Sequence, residues 1–325
     1  MRRVFLIKDC FRIIKNQLRN AEGTDQDFLR FLLYSGIIKE KQTQQYKKGE
    51  KTVDKKVVLS AKDLSKTFSN GSVQQHVLKN LDLDIYKGDF TVVMGNSGSG
   101  KSTLLYALSG MDRPSIGNIK YYVKDGEDLS DAIEISGYSN DRLARFRRDH
   151  VGFVFQQNYL NDSMSAMDNV MICGLLKHAD RKELANRTRE LFSRVQISEA
   201  DANKFPAQLS GGQQQRVAVV RGVINSPEIL FADEPTGALN SQNTKNVLDI
   251  LTGLNGDGQS IVMVTHTIMA AERGNRIIYL ADGIISDECD LGPYLGDYKD
   301  ETNPRREEAV QRHRKLKDFL ATMGW

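Results

Sequence analysis

"FTVVMGNSGSGKSTLLYALSG", residues 90–110, decides the fold. A short β-rich run enters a loop holding three glycines, and the loop enters an apolar helical stretch. Within it Gly95 to Thr103, "GNSGSGKST", fits the pattern G-x-x-x-x-G-K-[ST] in the setting that pattern needs, a strand before and a helix after. Gly95, Gly98 and Gly100 free the backbone N–H groups to curl around phosphate oxygens, with Asn96, Ser97 and Ser99 filling the loop between them. Lys101 reaches the β and γ phosphates, Ser102 offers a hydroxyl to magnesium, and Thr103 completes the motif.

Outward from the loop the pattern stays α/β. Upstream, "LKNLDLDIY" alternates as a half-buried strand does and ends in a turn at Lys87-Gly88. Downstream, "HVGFVF", "EILFAD", "SIVMVTH" and "RIIYLADG" are short β-rich runs that each end where a polar residue enters. Residues from about 158 to 227 lack such runs and read as an inserted, mostly helical subdomain. Apolar residues make up 40% of the 325 and charged residues 27%, the balance of a globular chain. No apolar run approaches the roughly 18 residues of a spanning helix, so any membrane crossing falls to another chain. The three cysteines, Cys10, Cys173 and Cys289, show neither paired nor zinc-type spacing, which fits a reducing compartment. The net charge of +3 is uneven: residues 1–56 carry 14 Lys and Arg against 7 Asp and Glu, so the remainder is slightly acidic. A nucleic-acid-binding core is not expected from that distribution.

Two further stretches carry chemistry. In "EILFADEPTGALN" an apolar strand delivers Asp233, whose carboxylate can hold magnesium through water, and then Glu234, placed to polarise an attacking water. In "LSGGQQQRVAVVRG", residues 209–222, Ser210 is a favoured helix N-cap and Gly211-Gly212 strip the backbone. The stretch reads either as a phosphate-seeking helix start or as an ordinary capped helix.

Taken together, and in this order, these motifs resemble the nucleotide-binding subunit of an ABC transporter across roughly residues 57–287. The resemblance implies a P-loop NTPase of ABC-ATPase type: an α/β core with an antiparallel β subdomain and the inserted α-helical signature subdomain. It also implies ATP hydrolysis with magnesium in a homodimer, where Ser210, Gly211, Gly212 and Gln213 of one subunit close over the γ-phosphate held by the other. By the same resemblance Glu234 is the general base and His266 of "VTH" the switch histidine. Gln156 is the Q-loop glutamine near magnesium, with Gln157 the competing candidate, and Phe68 of "SKTF" stacks on adenine. Magnesium falls to Ser102, Asp233 and Gln156. "SGMDRPSIGNI", "RFRRDHVGFVFQQ" and "ADEPTGALN" are similar to the branch with MacB-, LolD- and FtsE-type members. That branch implies a separate membrane permease of MacB/FtsX type and export of, or resistance to, peptides, lipoproteins or drugs. The antimicrobial-peptide (bacitracin) resistance group lies within it. The location implied is the cytoplasmic face of the cell membrane, peripheral through the permease.

Several features depart from that pattern. Asn240 stands where the D-loop usually has aspartate, and residues 124–140 run longer than usual. The extension 1–56 places Val4, Ile7, Phe11, Ile14 and Leu18 on one helical face amid arginines and lysines, which predicts docking onto protein or peripheral contact with a membrane. The tail, residues 288–325, is expected to form a helix capped by Asn303 with Pro304 at its first position. Its seam of Ala309, His313, Leu316, Leu320 and Met323 resembles a dimer-contacting or capping tail. Two rival functions stay open: an ATPase that transmits mechanical work to cell-wall enzymes without transport, and a soluble ABC ATPase acting on DNA or ribosomes.

Overall fold

The computed structural model describes residues 55–71, 73–123, 132–178 and 180–325. Residues 1–54 of the extension and residues 124–131 of the long segment 124–140 lie outside them, so the expectations for those residues belong to sequence alone. Residues Lys56–Trp325 form one contact unit.

Its centre is a six-stranded sheet in the order β10-β9-β3-β8-β7-β6. The strands are β3 (Phe90–Met94), β6 (Val151–Val154), β7 (Ile229–Asp233), β8 (Ser260–Val264), β9 (Arg276–Ala281) and β10 (Ile284–Asp290). All but β10 run parallel, and β10 pairs antiparallel with β9 at the edge. A parallel sheet covered on both faces needs continuous apolar strands, and β3, β7 and β8 are buried at every position. A four-stranded antiparallel sheet, β2-β1-β4-β5, lies beside it. Here β1 (Val57–Asn70) and β2 (Val73–Tyr86) form a long hairpin, with β4 (Ile116–Tyr122) and β5 (Ala132–Glu134) next in order.

Helix α1 (Lys101–Leu108) follows the glycine loop and buries Leu104, Leu105 and Leu108 between the two sheets. Helix α2 (Asn140–His150) leads into β6. The insertion comprises α3 (Ala166–Leu175), α4 (Arg181–Arg194), the single turn α5 (Glu199–Ala202) and α6 (Gly211–Val223), and it has its own apolar cluster around Val170, Leu184, Phe192 and Val217. The other face of the central sheet is covered by α7 (Ser241–Gly256), the turn α8 (Ile268–Ala271) and the terminal helix α9 (Arg306–Thr322).

The tail corrects one expectation. Helix α9 begins after Arg305, later than expected, because Asn303 organises the preceding turn instead of capping. Its side-chain amide donates to the carbonyls of Leu295 and Asp297, and its oxygen accepts from the Arg305 N–H. The seam faces inward: Ala309, Leu316 and Leu320 are buried in this chain, with Leu316 and Leu320 in the cluster that holds Tyr279, Cys289 and Leu291. Arg312 donates to the Glu272 carbonyl, and His313 contacts the Glu272 carboxylate. The tail therefore packs on its own domain.

Candidate active site

The glycine loop forms because three of its residues take backbone angles that side chains resist: φ is +147° at Gly95, +77° at Gly98 and +100° at Gly100. At Gly95 a Cβ would also collide with the Leu280 carbonyl, so the loop passes hard against β9. Asn96, Ser97 and Gly98 are exposed at its crest, whereas Ser99 is buried with its hydroxyl unpartnered. No side chain caps α1 at Gly100, which leaves its N-terminal N–H groups open to an anion. The buried Lys101 ammonium donates to the carbonyls of Gly95 and Asn96, each at 2.8 Å. Burial lowers its pKa, an effect opposed by the nearby carboxylates of Glu234 and Asp233.

Those carboxylates come from β7, and β7 is not adjacent to the loop strand. β8 intervenes between the two strands in the sheet. The Asp233 carboxylate takes one hydrogen bond on each oxygen from α1: Ser102 Oγ donates to one at 3.0 Å and the Tyr106 hydroxyl to the other at 2.8 Å. Burial, then that hydrogen bond, pushes Tyr106 up to about 12, which keeps it a donor. Glu234 holds a left-handed backbone, φ +45°, uncommon outside glycine and costly by about 1–3 kcal/mol. Its N–H donates to the Val264 carbonyl at 3.0 Å, and its carboxylate lies 3.1 Å from His266 Nδ1. Gln156 sits over the turn that follows: a Cβ on Gly237 would come within 2.8 Å of its amide nitrogen. Gln156 thus lies beside Gly237, three residues past Glu234.

The signature start forms a capped helix. Ser210 caps α6 by accepting from the Gln213 N–H at 3.2 Å, and Gln213 returns its side-chain oxygen to the Ser210 N–H at 2.9 Å. This is a capping box. Accepting that bond leaves the serine O–H proton free to donate outward. Gly212 is bare because the Asn243 side chain occupies the space a Cβ would need, whereas Gly211 is exposed beside Leu239. Asn240 caps α7, accepting from the Asn243 N–H at 2.9 Å, so the D-loop departure has a local structural use. Phe68 is exposed on β1 with the Lys66 ammonium 4.9 Å from its ring centre. Sequence reading passed over Tyr106, Asn243 and Tyr279, whose hydroxyl lies 3.5 Å from Asn96 Oδ1. For Tyr106 a signal existed, a hydroxyl four residues after Ser102 on the same helix.

A glycine-rich loop between strand and helix, with two acids at the end of a nearby parallel strand, defines a P-loop nucleotide hydrolase. The ABC transporter family profile matches residues 78–237. The chain is 40% identical over 235 residues to the uncharacterized ABC transporter ATP-binding protein MJ0796 of Methanocaldococcus jannaschii, across 71% of this chain and 96% of that protein. It is 42% identical over 233 residues to the macrolide export ATP-binding/permease protein MacB of Escherichia coli, across 71% of this chain and 34% of MacB. Among solved structures, a dimeric post-hydrolysis state of MJ0796 bound to ADP and Pi is 39% identical with a TM-score of 0.64, covering 72% of this chain and 98% of that one. The chain belongs to the ABC transporter ATP-binding family. It is an ATP-binding ATPase whose similarity falls on the MacB-type branch, and it spans about a third of the length of the MacB relatives it matches.

Proposed function

We propose that this chain hydrolyses ATP as a homodimer with two composite sites and drives a membrane permease of MacB type in the export of, or resistance to, peptides, lipoproteins or drugs. The observation that carries the catalytic part is the convergence of Ser102 on Asp233 at 3.0 Å and of His266 on Glu234 at 3.1 Å, beside an uncapped helix start. Backbone N–H groups of Gly95 to Thr103 and the Lys101 ammonium take the phosphate charge, and Phe68 offers a ring face to adenine. Lys101 has three donors and spends two on carbonyls, so a phosphate oxygen can claim the third. Glu234 accepts the proton of the attacking water, while His266, with Nδ1 toward Glu234, keeps Nε2 for the γ-phosphate. From the partner subunit, Ser210, Gly211, Gly212 and Gln213 supply a hydroxyl and N–H groups to the same phosphate.

Magnesium fits the donors present. Ser102 and Asp233 offer only oxygen, and among the described residues no cluster of three His, Cys, Asp or Glu competes for a softer ion. A magnesium ion is usually held by one or two carboxylates with phosphates and water completing its shell. Ser102, Asp233 and Gln156 would hold it, and it would supply charge that draws electrons from the phosphates. Dimerisation and the permease are supported by relatives: MJ0796 is described as dimeric, and the MacB proteins as ATP-binding/permease proteins. No helix among the described residues is long and apolar enough to cross a membrane. Ile172, Leu175 and Leu176 are exposed near the end of α3, with Tyr159 and Phe205 exposed elsewhere in the insertion, a set suited to an apolar partner.

The test is Glu234→Gln. Glutamine keeps the shape but accepts no proton, so hydrolysis falls about a hundredfold or more while ATP still binds. With the γ-phosphates left in place, ATP converts the variant from monomer to dimer in light scattering, and Lys101→Ala stays monomeric. Hydrolysis at the parent rate would refute the general-base role. ATP binding without dimerisation would refute the composite site.

A further inference from the structure

The Asp233 carboxylate is nearly fully buried and makes two hydrogen bonds from one helix face. Ser102 and Tyr106 lie four residues apart, so one turn of α1 presents both hydroxyls to a strand end 127 residues distant from Tyr106 in sequence. Ser102 binds Oδ1, and Tyr106 binds Oδ2 at the shorter distance of 2.8 Å. The phenol itself is anchored, its ring 5.9 Å from that of Phe153 on β6, the strand paired with β7. The ring is thus packed against β6, and the hydroxyl donates to Asp233.

We propose that Tyr106 is a positioning residue for the magnesium site: it fixes the Asp233 carboxylate so that the oxygen shared with Ser102 faces the metal. This rests on the reading above that Asp233 and Ser102 hold magnesium. A carboxylate with one oxygen pinned has lost rotation about its terminal bond, so less order remains to be imposed when the ion arrives. A donor on Oδ2 also occupies that oxygen and leaves Oδ1 as the one to face the ion. Hydrogen-bonding partners of ligands at this remove typically govern metal affinity or activity by 10–100-fold.

Tyr106→Phe removes the hydroxyl and keeps the ring, so the contact with Phe153 and the fold are retained, which thermal melting in EDTA verifies. The readout is the affinity of a fluorescent non-hydrolysable ATP analogue in EDTA and at saturating magnesium, together with the magnesium concentration for half-maximal hydrolysis. In EDTA the affinity stays within twofold of the parent. The gain conferred by magnesium falls about tenfold, and half-saturation rises by a similar factor. A cycle with Asp233→Asn separates positioning from packing. If Tyr106 acts through Asp233, adding Tyr106→Phe to Asp233→Asn costs no further magnesium response. A magnesium response within twofold of the parent in Tyr106→Phe, or a full additional loss in the double variant, would overturn the proposal while leaving the role of Asp233 intact. If Asp233→Asn itself keeps the magnesium response, the metal assignment and the proposal both fall.

Discussion

Leu316→Ala tests whether the C-terminal helix belongs to the folded core or serves a partner subunit. Leu316 is fully buried in α9, in the cluster that includes Tyr279, Cys289, Leu291 and Leu320. Arg312 and His313, bonded to the backbone and carboxylate of Glu272, hold the helix in place after truncation of the leucine, so the cavity cannot close fully. Truncating a leucine at such a site costs about 3 kcal/mol. Unfolding the Lys56–Trp325 unit releases roughly 0.6 kcal/mol per kelvin, so that loss lowers the melting temperature by about 5 °C. Circular dichroism melts without nucleotide measure it, and light scattering with ATP in the Glu234→Gln background measures dimerisation. The expected outcome is the drop in melting temperature with ATP-driven dimerisation retained below the new transition. A melting temperature within 1 °C of the parent, joined to weakened dimerisation, would refute the reasoning and make α9 an intersubunit element.

Two more predictions concern the site. Asn240→Asp keeps a side-chain oxygen for the Asn243 N–H, so thermal stability should change by less than about 0.5 kcal/mol and steady-state hydrolysis by far less than the hundredfold loss of a catalytic base. A larger change in hydrolysis at constant stability would give Asn240 a part in coupling the two sites. Burial lowers the Lys101 pKa from 10.5, so the ammonium is lost at a lower pH than in the unfolded chain. ATP affinity should therefore fall as pH rises through that lowered value on the alkaline side, and Lys101→Ala, which has no proton to lose there, should bind ATP more weakly with that slope abolished. Fluorescence titrations across alkaline pH check both.

Much of this protein is local and therefore legible in the sequence. The glycine loop, strand and helix around Lys101 are consecutive, and their backbone demands are met by residue types at fixed spacing, so "GNSGSGKST" specifies its own conformation. The buried strands announce themselves because a parallel sheet covered on both faces leaves no position for a polar alternation. Asp233 and Glu234 are readable as a pair because they share one strand end. Other features depend on where separate segments meet. The insertion of β8 between β3 and β7, which sets His266 beside Glu234, is a matter of strand order that no local pattern encodes. That Gln156 lies over Gly237 is likewise decided by the packing of distant segments. The amphipathic seam of α9 says that the helix buries a face, and only the packed structure says against what. Tyr106 is the sharpest case: in sequence it is one aromatic residue in an apolar helix, and its hydroxyl acquires a partner only when folding brings the end of β7 against that helix. Periodicity and motif spacing act over a few residues, whereas a buried carboxylate takes its hydrogen bonds from whatever the tertiary fold places within reach.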